Sequence, residues 1–415
     1  MKRYAFIFAL IFTALVTAYN DAAAQDSLNV RRVGQLTYQS AAGICISDNY
    51  AYIAEGYFRL RIVNISNPAI PLEVGFYDTT GPAWGVATSG NYAYIANSST
   101  GLWIVNIANS TAPFEVGNLH WVCIRVTISS NYAYVTDGSG LRIVNITDPA
   151  APFELGYYNT PGEACDVAFV GNYAYVADGY SGLSIVNVAN PVAPFGVGFY
   201  DTPGYANGVA VSGDYAYVAD GLSGLRIVNI TNAITPFEVG FFDTPGNANG
   251  VAVSGNYVYV ADDSSGLCIV NVSSPAAPSL AGFYDTPGIA YGVAVSGNYA
   301  YVADYDYFGI YDCSQAISVV EPVSGEIPKA FWLAQNYPNP FNSSTIIEYA
   351  LPKSSRVKLE LFDVTGRLIA TPVTFNQNPG IYRTNLNVAN LSSGNYFYRL
   401  STGDFTATRT LTVVK

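Results

Sequence analysis

The sequence holds 415 residues, 50% of them hydrophobic and only 12% charged, with 38 Gly and 34 Tyr. Such a chain can bury a large core, and this Gly and Tyr usage favours short strands and tight turns over helices. Charge is unevenly divided. Residues 25–322 carry 7 Arg, no Lys and 24 Asp plus Glu, a balance of −17, whereas residues 323–415 carry 9 basic against 5 acidic residues, a balance of +4. The acidic region repels nucleic acid and anionic membrane, so neither is expected as a partner.

The chain opens on the pattern of a signal peptide, expected over residues 1–24. Lys2 and Arg3 supply the basic start, residues 4–18 the apolar run, and Ala22, Ala23 and Ala24 a small-residue cleavage site. No later run is long and apolar enough to span a bilayer, so the mature chain is expected to be exported and soluble. Cys45, Cys123, Cys165, Cys268 and Cys313 show no C-x-x-C spacing, which speaks against zinc. Export permits disulfides, Cys123 with Cys165 among them, but an odd count leaves at least one thiol unpaired. Most of the five are expected as small buried strand residues.

A stretch of the form Gly-Asn-Tyr-Ala-Tyr-Val-Ala-Asp is written seven times, its first Tyr falling at Tyr50, Tyr92, Tyr132, Tyr173, Tyr215, Tyr257 and Tyr299, at successive spacings of 42, 40, 41, 42, 42 and 42. A fixed period of roughly 40–45 residues marks a repeat fold. Each unit holds four strand candidates, in the fifth at residues 195–200, 207–212, 215–219 and 225–230, with Thr-Pro-Gly, Ser-Gly-Asp and Asp-Gly-Leu-Ser-Gly between them. Four antiparallel strands repeated seven times predict a seven-bladed β-propeller over residues 25–313. A solenoid, the main rival, would want capping units, whereas here the ends look complementary. Residues 33–38 match the Val-Gly-Phe-Tyr strand of later units, and the last unit stops after Asp312 without that strand's successor, so the N-terminal strand is expected to complete the last blade and close the ring. Gly43, Gly85, Gly208, Gly250 and Gly292 share one position on the strand expected innermost, where blades crowd about the axis.

The segments at residues 60–64, 102–106, 141–145, 183–187 and 225–229, of the form Leu-x-Ile-Val-Asn, resemble the LVIVD repeat of secreted β-propeller proteins, with Asn where that motif has Asp. The resemblance spans about residues 31–313 and implies a propeller used for surface binding or scaffolding.

Residues 314–328, with Pro322, Ser324, Gly325 and Pro328, read as a linker. Beyond it, alternating residues at 345–351, 357–364, 381–386, 394–400 and 406–414 predict a small Ig-like β-sandwich over residues 329–415. The run Asn336, Tyr337, Pro338, Asn339, Pro340, Phe341 and Asn342, followed by Gly366 in residues 361–367 and Gly394 in residues 393–400, resembles the C-terminal sorting domain of the bacterial type IX secretion system. That resemblance implies passage through the periplasm of a Gram-negative bacterium, then through the type IX translocon, to the outer cell surface or the medium.

Candidate site residues are sought where the repeat breaks. At the innermost Gly position the third and fourth units carry Arg125 and Asp166. They are expected either to pair with each other or to form, with His120, Trp121 and Glu163, a polar patch at the channel mouth. Trp84, Tyr205, Asn207, Asn249 and Tyr291 vary in the loop bearing Thr-Pro-Gly and are expected on the same face, where aromatic and amide side chains suit a saccharide or peptide. His120, the one histidine, would have to serve any Ser-His-Asp or Cys-His site, and no matched nucleophile is visible. The recurring Asp137, Asp178, Asp220, Asp262 and Asp304 are expected to cap their own downstream turn. Bound Ca²⁺ is the alternative, without an Asp-x-Asp-x-Asp loop to support it, and no cofactor is otherwise expected. The function expected is a non-enzymatic binding or scaffold module for a surface protein or glycan. A carbohydrate-active lyase or hydrolase at the channel mouth and a structural surface-layer component are the alternatives.

Overall fold

The computed structural model describes residues 27–317, 327–342, 344–377, 379–387 and 391–415. The expected signal peptide and most of the expected linker lie outside them. The chain divides into two compact units, residues 1–313 and 314–415.

In the first unit every repeat folds as a four-stranded antiparallel meander. The fifth runs Gly208–Ser212, Tyr215–Ala219, Leu225–Asn229 and Phe237–Phe242. Its two middle strands are buried almost throughout, because each blade is covered on both faces by its neighbours. This is why they read as unbroken apolar runs, Tyr-Ala-Tyr-Val-Ala and Leu-Arg-Ile-Val, instead of alternating. The outer strand has no fully buried residue and exposes Phe237 and Phe241, as a strand on the solvent edge of the blade should. Gly213, at φ +56°, makes the tight turn between the first two strands, in a conformation that L side chains rarely adopt. The Asn229 side chain accepts the Thr231 N–H at 3.1 Å and so turns the chain out of the third strand.

The innermost strand of each blade packs on the innermost strands of the two blades beside it, and the circle of seven closes. Closure is made by the N-terminal strand Arg31–Ser47. Its second half begins blade 1, pairing with Tyr50–Glu55, while its first half pairs with the end of Tyr299–Asp312 from Arg31↔Asp312 to Thr37↔Tyr307. Blade 7 therefore takes its outer strand from the start of the chain. Ser27–Leu28 goes further and pairs with Tyr284 and Phe283, adding a fifth strand to blade 6. The sequence did not announce this contact.

Small residues mark where backbones meet. A Cβ on Gly43 would stand 2.5 Å from the Trp84 carbonyl oxygen, and one on Gly250 2.6 Å from that of Tyr291, each on the following blade. Both distances are below any real Cβ contact, so at these two blades the innermost position admits only Gly unless the neck widens. Gly250→Val should therefore lower stability by about 2 kcal/mol or more, read as a fall in the urea midpoint at unchanged slope. A variant as stable as the parent would show that the neck gives way.

The second unit packs two sheets. Trp332–Leu333, Ser344–Leu351 and Gly380–Asn387 form one, and Leu368–Gln377, Ser355–Phe362, Gly394–Ser401 and Thr406–Val413 the other. Ile347, Tyr349, Leu359, Leu361, Tyr398 and Leu400 lie at the centre of the core between them. The strand Leu368–Gln377 is not among the strands expected from the sequence, and it carries Pro372, which cannot donate to a ladder. It lies on a sheet edge where the register shifts between Leu359 and Leu361, a place that tolerates proline.

Candidate functional site

The seven innermost strands enclose a central channel of about 450 Å³, lined among others by Gly43, Arg125, Asp166, Val209 and Gly250. At one end it opens into a mouth of about 440 Å³ lined by Trp84, Val122, Ile124, Arg125, Cys165, Asn207, Asn249 and Tyr291, with Ser98. Six of these occupy one equivalent position, the residue before the innermost strand: Trp84, Ile124, Cys165, Asn207, Asn249 and Tyr291 each donate their backbone N–H to the end of their own blade's second strand, as Asn207 does to Ala219 at 2.8 Å. The fold thus projects a ring of freely variable side chains around the mouth. Ile124, Cys165 and Val122 belong to it although they were not among the sequence candidates. The column one residue before the glycine would have found the first two.

The polar residues of the neck reach across blade boundaries. Arg125 Nη1 donates to the Trp84 carbonyl of blade 2 at 2.5 Å, and to the Ile124 carbonyl at 3.4 Å. Asp166 Oδ2 accepts the Val209 N–H of blade 5 at 3.1 Å. Asn207 Nδ2 donates to the Ala248 carbonyl at 3.0 Å, and Asn249 Nδ2 to that of Ala290 at 3.1 Å. These bonds satisfy backbone groups at the crowded neck that no ladder reaches. They also correct the expectation that Arg125 and Asp166 pair: among the described residues no ion pair within 4 Å joins them, and each leans toward the blade on its far side. Burial holds the Asp166 carboxyl above the usual carboxylate range, opposed by the charge of Arg125 and by the N–H groups of Val209 and Val167.

Tyr205 and Glu163 stand beside the mouth. The Tyr205 hydroxyl meets Cys165 Sγ at 3.4 Å, and its ring packs edge-on against the exposed Tyr180, centroids 4.8 Å apart. Burial pushes the Cys165 thiol up, which disfavours the thiolate a nucleophile would need. His120 and Trp121 do not join the site. His120 Nδ1 contacts the Thr100 carbonyl at 3.1 Å, and Trp121 receives the Arg142 guanidinium over its ring at 5.3 Å. Neither lines the mouth, because the crossing from outer to innermost strand leaves them toward the rim. All five cysteines are free thiols, Cys123 fully buried.

The recurring aspartates act differently from expectation. Asp220 accepts the Thr202 hydroxyl at 2.5 Å and the Gly204 N–H at 2.8 Å. Asp262 and Asp304 do the same with Thr244 and Gly246, and with Thr286 and Gly288. Asp178 accepts the Gly162 N–H at 3.0 Å and the Ser184 hydroxyl at 2.9 Å. These four carboxylates clamp the Thr-Pro-Gly loop that enters their own blade, 16 to 18 residues upstream. Only Asp137, whose unit has no such loop, caps its downstream turn, at the N–H groups of Ser139 and Gly140. Among the described residues no group of three or more His, Cys, Asp or Glu is placed to hold a metal ion.

The LVIVD repeat family model matches residues 39–79, 80–120, 124–160, 161–202, 203–244, 245–286 and 287–321. The chain belongs to the LVIVD-repeat family. A second model, the secretion system C-terminal sorting domain, matches residues 335–414 of this LVIVD-repeat protein. No curated protein sequence matches it. Its propeller is similar to solved structures at 10% identity: the β-propeller domain of Myceliophteria thermophila Cps50 (Swd1) at TM-score 0.58, covering 68% of this chain and 99% of that one, the RRP9 WD40 repeats at 0.57, covering 68% and 97%, and U3-55K at 0.57, covering 68% and 98%. At such identity the likeness shows the fold alone.

In the sorting domain of this LVIVD-repeat protein the motif is a strap bound to the last strand. Asn336 is buried, its N–H donating to the Tyr398 hydroxyl at 2.7 Å and its Nδ2 to Thr345 Oγ1 at 2.9 Å. Asn339 Oδ1 accepts the Thr412 N–H at 2.9 Å, and Phe341 is buried in the core, while Tyr337 stays exposed. Pro338 and Pro340 follow cis peptide bonds. Gly366, at φ +84°, closes the turn in which Asp363 Oδ1 accepts the Thr365 and Arg367 N–H groups. Gly394 begins the strand Gly394–Ser401. No helix among the described residues is long and apolar enough to cross a membrane.

Proposed function

We propose that this secreted or surface β-propeller is a binding module that holds a glycan at the channel mouth. The observation that carries this reading is the convergence of the repeat's irregularities on that one opening, where an otherwise sevenfold wall becomes a cavity with an exposed indole, Trp84, and an exposed Val122 beside Arg125, Asn207 and Tyr291. A flat apolar ring beside a few fixed polar groups suits the face and hydroxyls of a sugar. One feature favours the second reading, a carbohydrate-active enzyme: Asp166, with its raised pKa, is a carboxyl suited to acid catalysis, and Glu163 precedes it by three residues in the same unit.

The test is binding of the intact secreted protein to a broad glycan array, with and without EDTA, beside Trp84→Ala. Selective binding that falls at least about tenfold in Trp84→Ala is expected, and EDTA is expected to leave it unchanged, since no cluster of ligands for a cation is present among the described residues. A blank array sinks the glycan reading, and turnover of a bound glycan would replace the module by the enzyme.

A further inference from the structure

Among the described residues five of the propeller's seven arginines are neutralised by a carboxylate within 4 Å, and Arg32 and Arg125 are not. Arg31 meets Asp312 at 3.2 Å, Arg59 meets Asp78 at 2.6 Å, Arg61 holds Glu55 and Glu73, Arg142 holds Asp137 and Glu154, and Arg226 lies within 3.8 Å of Asp220 and Glu238. In a region with a balance of −17 this is what Coulomb's law favours. Arg125 departs from the pattern. It lines both channel and mouth, yet it has no carboxylate within 4 Å among the described residues, and its only side-chain bonds run from Nη1 to two carbonyls. Those bonds fix the plane of the guanidinium and leave Nε and Nη2 without an acceptor among the described residues. Asp166, the equivalent residue of the next blade, is kept out of pairing by its bond to Val209.

We propose that Arg125 is the anchor for a carboxylate on the bound saccharide, so that the mouth selects glycans containing uronic acid or a comparable acidic sugar. This rests on the glycan reading above and names the class of ligand. An immobilised guanidinium presents a fork of donors that matches a carboxylate, and it is already ordered before the ligand arrives. Exposed Trp84 and Val122 lie beside it and offer an apolar face for the ring carrying the acid. Asn207, whose Nδ2 is spent on Ala248, leaves its Oδ1 as an acceptor for a ring hydroxyl. A bare carboxylate would use only the first of these groups. A peptide acid would not need the hydroxyl acceptor. The acidic surroundings sharpen the choice, since a polyanion gains nothing from this surface except at that one guanidinium.

The intact secreted protein is to be titrated with galacturonic, glucuronic and mannuronic acid oligosaccharides, and with their methyl esters, in which ring and hydroxyls are kept and the charge is removed. At least one acid is expected to bind, with a loss of tenfold or more on esterification and in Arg125→Gln, a smaller loss in Arg125→Lys, and weakening as salt rises. Unchanged thermal melting of Arg125→Gln separates loss of the anchor from loss of the neck. If that variant melts lower, the esters alone decide, because they leave the protein untouched. Equal binding of acid and ester, or no binding of any acid, overturns the proposal. Binding of neutral sugars that depends on Trp84 would leave the glycan reading standing while this inference fails. Polyglutamate binding equal to that of the oligouronates would sink the saccharide.

Discussion

A chain lacking residues 27–37 should unfold about 10 °C or more below the intact protein, or be recovered only as aggregate. The segment supplies the whole outer strand of blade 7 and the extra strand of blade 6, so its loss opens two edges at once. Val33 and Leu36 pack on the fully buried Phe308 and Ile310, and Val30 is itself buried. Each such side chain contributes roughly 1.5–3 kcal/mol when buried, so several kcal/mol go with the segment before the ladder bonds are considered. The larger effect is topological. Without the strand the first and seventh blades share no segment of chain and meet only by face packing, as in the cluster that holds Ile53, Val63, Tyr301 and Ile310, so a closed ring comes closer to an open stack with two free ends. Thermal melting followed by circular dichroism checks this. A synthetic peptide of residues 27–38, added in trans, should restore part of the loss. An unchanged melting temperature would mean that the propeller does not depend on this closure.

This closure was legible in the sequence because both halves of the split blade carry the repeat's own spelling. Val33 and Gly34 match Val239 and Gly240, and the last unit visibly lacks that strand. Ser27–Leu28 was not legible, since two residues carry no alternation. The neck was half legible. The substitution of Arg125 and Asp166 for glycine was plain, but not where their side chains would turn. That was decided by unpaired backbone at the blade boundaries, the Trp84 carbonyl and the Val209 N–H, which a sequence does not display. His120 misled because closeness in sequence is not closeness to the axis. At about 3.3 Å per extended residue, the five steps from it to Arg125 can span up to roughly 16 Å of the path from rim to neck. The clamp was present in the text yet unread: the four aspartates that hold a loop belong to the units that write Thr-Pro-Gly, and Asp137 belongs to one that does not.

That clamp leads to a prediction in which two substitutions at one residue move stability in opposite directions. The Asp304 carboxyl is fully buried, and burial pushes its pKa up to about 6 from an ordinary 3.8, against the hydrogen bonds of Thr286 and Gly288 and the charge of Arg32, with Asp306 adding to the rise. A carboxyl whose folded pKa lies above its unfolded one is held best when protonated. Its contribution is therefore complete below about pH 4, is lost as pH rises through 6, and stays lost above. Asn is the neutral isostere of that protonated acid. Its Oδ1 can accept the Gly288 N–H and its Nδ2 can donate to Thr286 Oγ1, so Asp304→Asn should remove this part of the pH dependence. At pH 7 it should be at least as stable as the parent, by up to about 3 kcal/mol for the two-unit shift. Asp304→Ala keeps neither bond. It leaves the buried Thr286 hydroxyl and the part-buried Gly288 N–H without this partner and opens a cavity, costing about 2–4 kcal/mol at pH 4.5 and less at pH 7, where the parent has itself lost the carboxyl's contribution. Urea unfolding of the three proteins at pH 4.5 and 7 reads all of this. If Asp304→Asn falls with Asp304→Ala at both pH values, the ionised carboxylate is what holds the Thr-Pro-Gly loop, and the raised pKa is the wrong account of the clamp.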